Sequence, residues 1–460
     1  MIRLFRVSIP TSMLALVVLD SLLLFGCYFV TGLFAWFDPR TFLLYEGGLQ
    51  QILLVVLLIQ IGYYFSDLYD TFTPRSRTLL WQQVCLSVGI AFLFQALLGY
   101  ARSPLQLPRL NMLVGSLTVL VVAPAWRIAF SVLMRRASVP RKLLFLGLSP
   151  VVRAVVARLE ERPELGLLVV GYLDGEPAQD WHVPYLGRIE NLDEIIQKHR
   201  PDRVVVGCAG DNGALPVERL LDLRFSGTIH VEEAATLYEK LLSRVAIHNL
   251  RPSQLLFASE LVPHSFNLTM QGIYSPLLGL AGFLITLPVM VIVAALVKLS
   301  SPGPVFYRQV RMGLHGKHFT ILKFRSMYID AEARTGAVWA SKGDPRITPV
   351  GRWLRYLRLD ELPQFINVVR GEMAVVGPRP ERPEFSEVLE HRIPLFKQRV
   401  CVKPGITGWA QINYGYGETV QDAMMKLEYD LYYIKNLSLT IDAYIIFNTL
   451  KVMLLSRGGQ

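Results

Sequence analysis

A chain of 460 residues with 52% hydrophobic content and a mean hydropathy of +0.36 is long enough for several domains and too apolar for an ordinary soluble protein. Its four cysteines, Cys27, Cys85, Cys208 and Cys401, show no CxxC or Cys/His spacing, so neither a disulfide framework nor a zinc site is supported. Of the formal charge of +10, +9 arises between Lys298 and Lys403, where 19 Lys+Arg stand against 10 Asp+Glu, and anionic partners are expected there: lipid head groups or phosphorylated substrates.

Four apolar runs, residues 13–33, 49–64, 80–100 and 110–134, approach or exceed the roughly 20 residues that span a bilayer core. Arg3 and Arg6 precede the first run, which lacks a small-residue cleavage site and reads as a retained anchor. An even number of spans puts these arginines on the same side as Arg135, Arg136, Arg141 and Lys142, the cytoplasmic side by the positive-inside rule. Residues 1–138 are therefore expected to form a four-helix transmembrane region.

Over residues 139–262, short β-type runs such as "KLLFLGLS", "LLVVGYLD" and "RVVVGCAG" alternate with amphipathic runs such as "VVRAVVARLEE" and "LDEIIQKH". This alternation predicts a Rossmann-like parallel sheet. The first turn, "GLSP" at 147–150, lacks the GxGxxG that cradles a pyrophosphate. A scaffold or a regulatory sensor is favoured over a working dinucleotide site.

Residues 263–460 begin with a fifth apolar run, about 273–297, interrupted at Pro288. Proline removes an N–H and clashes with the preceding turn, so the run is either a kinked spanning helix or one that enters and turns back at Pro288. Only the second keeps both flanking domains on one side.

Further on, "LDELPQFINVVRG" has helical apolar spacing at Leu362, Phe365/Ile366 and Val369, with Gly371 as C′ residue and Asp360 in the N-cap place. A capping role for Asp360 competes with a phosphate site. Arg352, Arg355 and Arg358 precede it, Lys323 and Arg325 lie in "LKFRSM", and Arg379 lies in the turn "GPRPERP". An ionised Asp beside a second carboxylate suits phosphoryl chemistry, one attacking phosphorus and the other helping to hold Mg²⁺, while arginines supply planar donors for phosphate. A surface ion-pair network is the bland alternative. "HGKH", with His315 and His318, reads as a solvated loop, since Gly316 favours a turn over a metal-binding helix.

The ordered motifs "SPGPVFYRQVRMG", "KFRSM", "DPRITPVGRWLR", "LDELPQFINVVRGEMAVVGPRPERPE", "KPGITGWAQI" and "EYDLYYIKNLSLTIDAYIIFNTLKVML" resemble those of the bacterial sugar transferase family, the monotopic phosphoglycosyl transferases. Four spans and a degenerate Rossmann-like (CoA-binding-like) domain upstream are similar to the large initiating members of exopolysaccharide and exosortase-associated loci. The resemblance implies transfer of a sugar-1-phosphate from a nucleotide sugar, UDP by family expectation, to polyprenyl (undecaprenyl) phosphate. It implies Asp360 as the nucleophile that becomes phosphoglycosylated and Glu361 as support for Mg²⁺. Lys323, Arg325 and Arg379 fall on its substrate-gripping positions; Arg358, Arg311 and Gln309 join them as phosphate-binding candidates.

The resemblance also implies a re-entrant membrane helix broken at Pro288, a catalytic domain on the cytoplasmic face of the bacterial inner membrane, contact with inner-membrane lipids, no nucleic-acid partner and a homodimer. The chain departs from many members in having Leu287 before that proline and no Lys or Arg between Arg251 and Lys298. The expected fold class is thus membrane α plus α/β: four transmembrane helices, a Rossmann-like domain and a mostly helical catalytic domain. A nucleotide-sugar dehydratase would need an intact GxGxxG and a YxxxK pair, which this chain lacks, and a membrane scaffold would leave the acidic pair unexplained.

Overall fold

The computed structural model describes residues 2–4, 7–9, 11–35, 39–69, 76–101, 103–137, 140–179, 181–207, 215–247, 263–329, 331, 344–415, 417 and 419–454. Cys208 and the junctions expected at 138/139 and 262/263 lie wholly or partly outside the described residues.

A small hairpin, β1 (Ile2–Leu4) with β2 (Val7–Ile9), leads into α1 (Thr11–Ala35), the short α2 (Pro39–Leu44), α3 (Gly48–Phe65), α4 (Arg77–Ala101) and α5 (Arg109–Ala137). Four of these helices are long and apolar enough to cross a membrane, and one later helix makes five among the described residues. Their apolar faces meet in a core of Leu24, Tyr28, Ile52, Ile59, Val84 and Val119. Within this bundle Arg127 donates to Asp20 at 2.5 Å and to the Leu68 carbonyl at 2.5 Å, and Trp126 Nε1 donates to Asp20 at 3.1 Å. A charge in an apolar bundle survives only when its partners are built in, and here the pair ties α1, α5 and the turn after α3 together.

The middle region is a five-stranded sheet in the order β5-β4-β3-β6-β7, every neighbouring pair parallel: β3 (Arg141–Leu146), β4 (Leu167–Leu173), β5 (Tyr185–Gly187), β6 (Arg203–Val206) and β7 (His230–Glu233). Helices α6 (Pro150–Glu161) and α9 (Ala234–Leu242) cover one face; α7 (Leu192–His199) and α8 (Val217–Phe225) cover the other. The expected Rossmann-like parallel sheet is present, and it is doubly wound. At the head of α6, where such folds bind a pyrophosphate, Pro150 removes one N–H, Ser149 Oγ accepts from Val152 N, and the Asp174 carboxylate accepts from Leu148 N at 2.8 Å. An acidic side chain therefore stands against the turn that would need to hold phosphate.

The last region opens with α10 (Ser265–Ser300), a single 36-residue helix containing Pro276 and Pro288. The helix runs on through Pro288 instead of breaking there, a correction to the expected break. The ring's missing N–H costs one hydrogen bond, which neighbouring packing offsets: Met290, Val293 and Val297 bury against Phe324 and Leu354. Nearer its start, Gln271 Nε2 donates to the Val376 carbonyl (3.2 Å), Tyr433 Oη (2.8 Å) and Asp442 (2.9 Å), and Ser275 Oγ accepts from Val375 N (2.7 Å).

After α10 come the hairpin β8 (Phe306–Met312) and β9 (His318–Phe324), then α11 (Pro349–Tyr356), α12 (Gln364–Val369) and β10 (Ala374–Val376). Next are α13 (Pro383–Arg392), β11 (Gly405–Thr407, parallel to β10), α14 (Trp409–Asn413), α15 (Val420–Asn436) and α16 (Leu439–Leu454). Trp409, Leu427, Leu431, Ile434 and Ile441 form its main core, which also takes in Val245 and Ile247 from the end of the middle region. The C-terminal region is mostly helical, as expected.

Candidate active site

The acidic pair sits in a short connection. Helix α11 is capped by Thr348, whose Oγ1 accepts from Gly351 N at 2.9 Å, and the chain leaves it through Arg358 in the left-handed region (φ 55°). A 3₁₀ turn, Leu359–Glu361, then precedes α12, whose N-cap is Pro363. Asp360 is therefore not the helix cap that its spacing suggested. Gly371, at φ 76°, follows α12 in the place expected of a C′ glycine.

Two devices fix α12, and with it this turn, in place beside β9. Gly279 and Gly282 of α10 let α12 approach closely: a Cβ on either would stand 2.6 Å from Val368 or Phe365. Asn367, fully buried, accepts from Leu322 N (3.0 Å) and donates to the Thr320 carbonyl (2.8 Å) and Glu372 (2.7 Å). Its side chain completes backbone groups on β9, which fixes α12 beside Lys323.

Lys323 Nζ and Arg379 Nη2 both donate to Glu361 Oε1, at 2.9 and 2.7 Å. Asp360, 7% exposed, accepts no hydrogen bond or ion pair from a described side chain. Burial, then the neighbouring Glu361 charge, pushes the Asp360 carboxyl up to about 6. Burial pushes on Glu361 in the same direction, but Arg379 and Lys323 overcome it and hold its carboxyl well below the usual range. Lys323 is itself lowered by burial, against the pull of Glu361. One carboxylate is thus spent on ion pairs, and the other is left basic.

Arg311 donates through Nε and Nη2 to Gln309 Oε1 (3.0 and 2.6 Å) and through Nη1 to the Pro380 carbonyl (3.0 Å); burial lowers it to about 10. All eight site candidates, Asp360, Glu361, Lys323, Arg325, Arg379, Arg358, Arg311 and Gln309, line one cavity of about 1380 Å³. Arg325 is used differently from the expectation. Buried, it donates to the carbonyls of Val297, Ser301 and Pro302, closing the C-terminus of α10 where free carbonyls attract a cation. His315 and His318 do not line the cavity.

Several cavity residues carry no signal in the sequence. Arg346, Arg382 and Lys426 come from separate elements and add positive charge around the pair, beside the Arg355 already named in the sequence, and Tyr414 lines the wall as a neutral phenol. Arg399 reaches back to the turn carrying Arg379: it donates to the Arg379 carbonyl (3.0 Å) and pairs with Asp430 (2.9 Å). Met13, Leu14 and Val17 of α1 and Ile61 and Tyr64 of α3 also form part of the wall.

A doubly wound sheet attached to apolar helices, and a buried acidic pair ringed by cations, define a membrane-associated, phosphate-handling class of protein. The bacterial sugar transferase family model matches residues 267–456, and a CoA-binding domain model matches residues 64–209. An N-acetylgalactosaminephosphotransferase of Aeromonas hydrophila, named for UDP-N-acetylgalactosamine and undecaprenyl phosphate, is 39% identical over 57% of this chain and 61% of its own length. A UDP-glucose:undecaprenyl-phosphate glucose-1-phosphate transferase of Klebsiella pneumoniae is 35% identical over 67% of each chain, and the exopolysaccharide production protein PSS of Rhizobium leguminosarum bv. phaseoli is 40% identical over 39% of this chain and 92% of its own. The chain belongs to the bacterial sugar transferase family.

Proposed function

We propose that this protein is an enzyme that moves a sugar-1-phosphate from a UDP-sugar to undecaprenyl phosphate, the initiating step of exopolysaccharide synthesis at the inner membrane. The observation that carries the reading is the asymmetry of the acidic pair. A buried carboxylate pushed up to about 6 stands beside one that is locked by Lys323 and Arg379. In this reading an Asp360 oxygen attacks the phosphorus bonded to the sugar. The bond from that phosphorus to the bridging oxygen breaks, and UMP leaves with the electron pair. A phosphate oxygen of the lipid acceptor then attacks the same phosphorus, the Asp360–phosphorus bond breaks, and the carboxylate is regenerated.

Glu361 is the carboxylate that would hold Mg²⁺. No group of three or more His, Cys, Asp or Glu among the described residues could hold a metal alone, but Mg²⁺ ordinarily takes one or two carboxylates plus substrate phosphates, and only Oε1 of Glu361 is engaged by Lys323 and Arg379. When bound, the ion would supply charge neutralisation at the phosphate oxygens. Lys323, Arg379, Arg358 and Arg311 would supply fixed positive charge around the same oxygens.

The membrane arrangement in this reading has four N-terminal spans, with the middle and catalytic regions cytoplasmic. Helix α10 lies in one leaflet. Its support is the contact pattern: Gln271 near one end and Val297 near the other both pack on the same domain, although about 39 Å of helical rise separates them. A helix crossing a core about 30 Å thick would have to leave that domain. Exposed Leu277, Leu280, Leu284, Ile285, Ile292 and Leu296 give it an outward apolar face.

The test is UMP release by the detergent-solubilised chain given a panel of UDP-sugars, with and without undecaprenyl phosphate, together with the intact-protein mass. Release accompanied by a sugar-phosphate mass on Asp360, both absent from Asp360→Asn, supports the reading. No release with any donor sinks it.

A further inference from the structure

The cavity that contains Asp360 does not end at the catalytic region. Its wall also takes in Met13, Leu14, Val17, Ile61, Tyr64 and Phe447, which form a largely apolar trough between α16 and the N-terminal bundle, with Gln60, Asp67, Asn448 and Lys451 among its lining. Several contacts hold the two sides of this trough together. Lys451 pairs with Asp67 at 2.7 Å and sits 4.4 Å from the Tyr64 ring centroid, Tyr64 Oη donates to Asn448 at 2.6 Å, and Phe447 packs against Tyr64 and Phe65. On the bundle side, Gln60 Nε2 donates to Ser21 Oγ at 2.5 Å, joining α1 to α3. The trough thus has one wall from two helices long and apolar enough for a membrane, and its other end at a cluster of cations around a basic carboxylate.

We infer that the N-terminal bundle is a working part of the acceptor site: α1 and α3, with α16, seat the polyisoprenoid tail of the lipid phosphate whose head reaches Asp360. The inference rests on the proposed reaction and assigns the bundle a task beyond anchoring. An amphiphile with one anionic head and a long hydrocarbon tail matches a site that is cationic at one end and apolar at the other. A nucleotide sugar, polar throughout, has no use for the apolar end. Burying tail methylenes against protein side chains favours a long tail over a short one and holds the phosphate at a fixed distance from the reacting phosphorus.

The experiment uses the full chain and two groove-filling variants, Val17→Trp and Ile61→Trp, with Leu22→Trp as control, since Leu22 lies exposed on α1 outside the trough. The quantities read are KM for a long-chain and a short-chain polyprenyl phosphate, KM for the donor, and UMP release with donor alone. The expected result is a rise of about tenfold in long-chain KM, the loss of a couple of buried methylenes, with short-chain KM, donor KM and donor-only release unchanged. Equal behaviour of Val17→Trp, Ile61→Trp and Leu22→Trp overturns the inference, even where the reaction itself proceeds. Absence of donor-only release from the unaltered chain overturns the reaction reading, and the inference with it.

A second readout needs no variant. A polyprenyl phosphate with a photoreactive tail should label peptides of α1 or α3, and unlabelled acceptor should displace the label. Label confined to α10, or displaced equally well by phosphatidylglycerol, overturns the assignment.

Discussion

Asp360 and Glu361 are neighbours in the chain, and burial pushes both carboxyls up, yet their net shifts are opposite, one raised to about 6 and the other held well below the usual range. The difference lies in partners: Lys323 and Arg379 both turn to Glu361. If Asp360 is the nucleophile, donor-only UMP release should rise with pH along a limb centred near 6, and not near the ordinary aspartate value of 3.8. A rate already flat above pH 5 would remove Asp360 from the role.

The same shift predicts a stability effect with a definite sign. Between pH 3.8 and about 6 the folded chain binds more protons at Asp360 than the unfolded chain does, so its contribution to stability is lost as pH rises through that window. Asp360→Asn should therefore abolish transfer and yet raise the melting temperature at pH 8, by the equivalent of about 1–3 kcal/mol. The gain should vanish below pH 4, which differential scanning fluorimetry in detergent can check.

Arg379 is half-exposed and donates to Glu361, and Arg399 holds its carbonyl. Arg379→Ala should lower kcat/KM about a hundredfold, the usual effect of losing one positioned donor to a developing oxyanion. Arg399→Ala removes no donor facing the reaction. It should act through the turn alone, and Arg399→Lys should restore part of the loss. Full activity of Arg399→Ala would show that the turn stands without it.

Asn367 is buried and completes Leu322 N and the Thr320 carbonyl on β9. Asn367→Ala leaves both groups unpaired and should cost about 2–6 kcal/mol, at roughly 1–3 kcal/mol for each orphaned group. Because these bonds place the acidic pair beside Lys323, kcat should fall as well. A chain with unchanged melting temperature and rate would contradict this role.

Glu361→Gln keeps the shape and removes the charge that Mg²⁺ would meet. The Mg²⁺ concentration for half-maximal rate should rise by about tenfold or more. An unchanged metal response would take Glu361 out of the ion's shell.

The parallel sheet was legible because buried strands alternating with amphipathic helices leave few other folds, and its order β5-β4-β3-β6-β7 follows the doubly wound pattern. The acidic pair and the basic motifs were legible because adjacent carboxylates among arginines point to phosphate chemistry. Of the two readings of Asp360, the helix cap is the one that does not hold. Apolar spacing marks where a helix runs, but the left-handed Arg358 and the 3₁₀ turn depend on how α11 and α12 pack. Arg325 illustrates a second limit: a cation near a phosphate motif and a cation closing a helix C-terminus look alike until the end of α10 is placed in space.

By itself the sequence determined the apolar helices, the kind of sheet and the residue types gathered near Asp360, because these follow from periodicity and side-chain chemistry along the chain. Only the tertiary structure decided which carboxylate is locked and which is left basic, since that depends on Lys323 and Arg379 arriving from 38 and 18 residues away. It also decided that α1 and α3 wall the same cavity as Asp360, because a contact spanning some 300 residues leaves no periodic trace in the sequence.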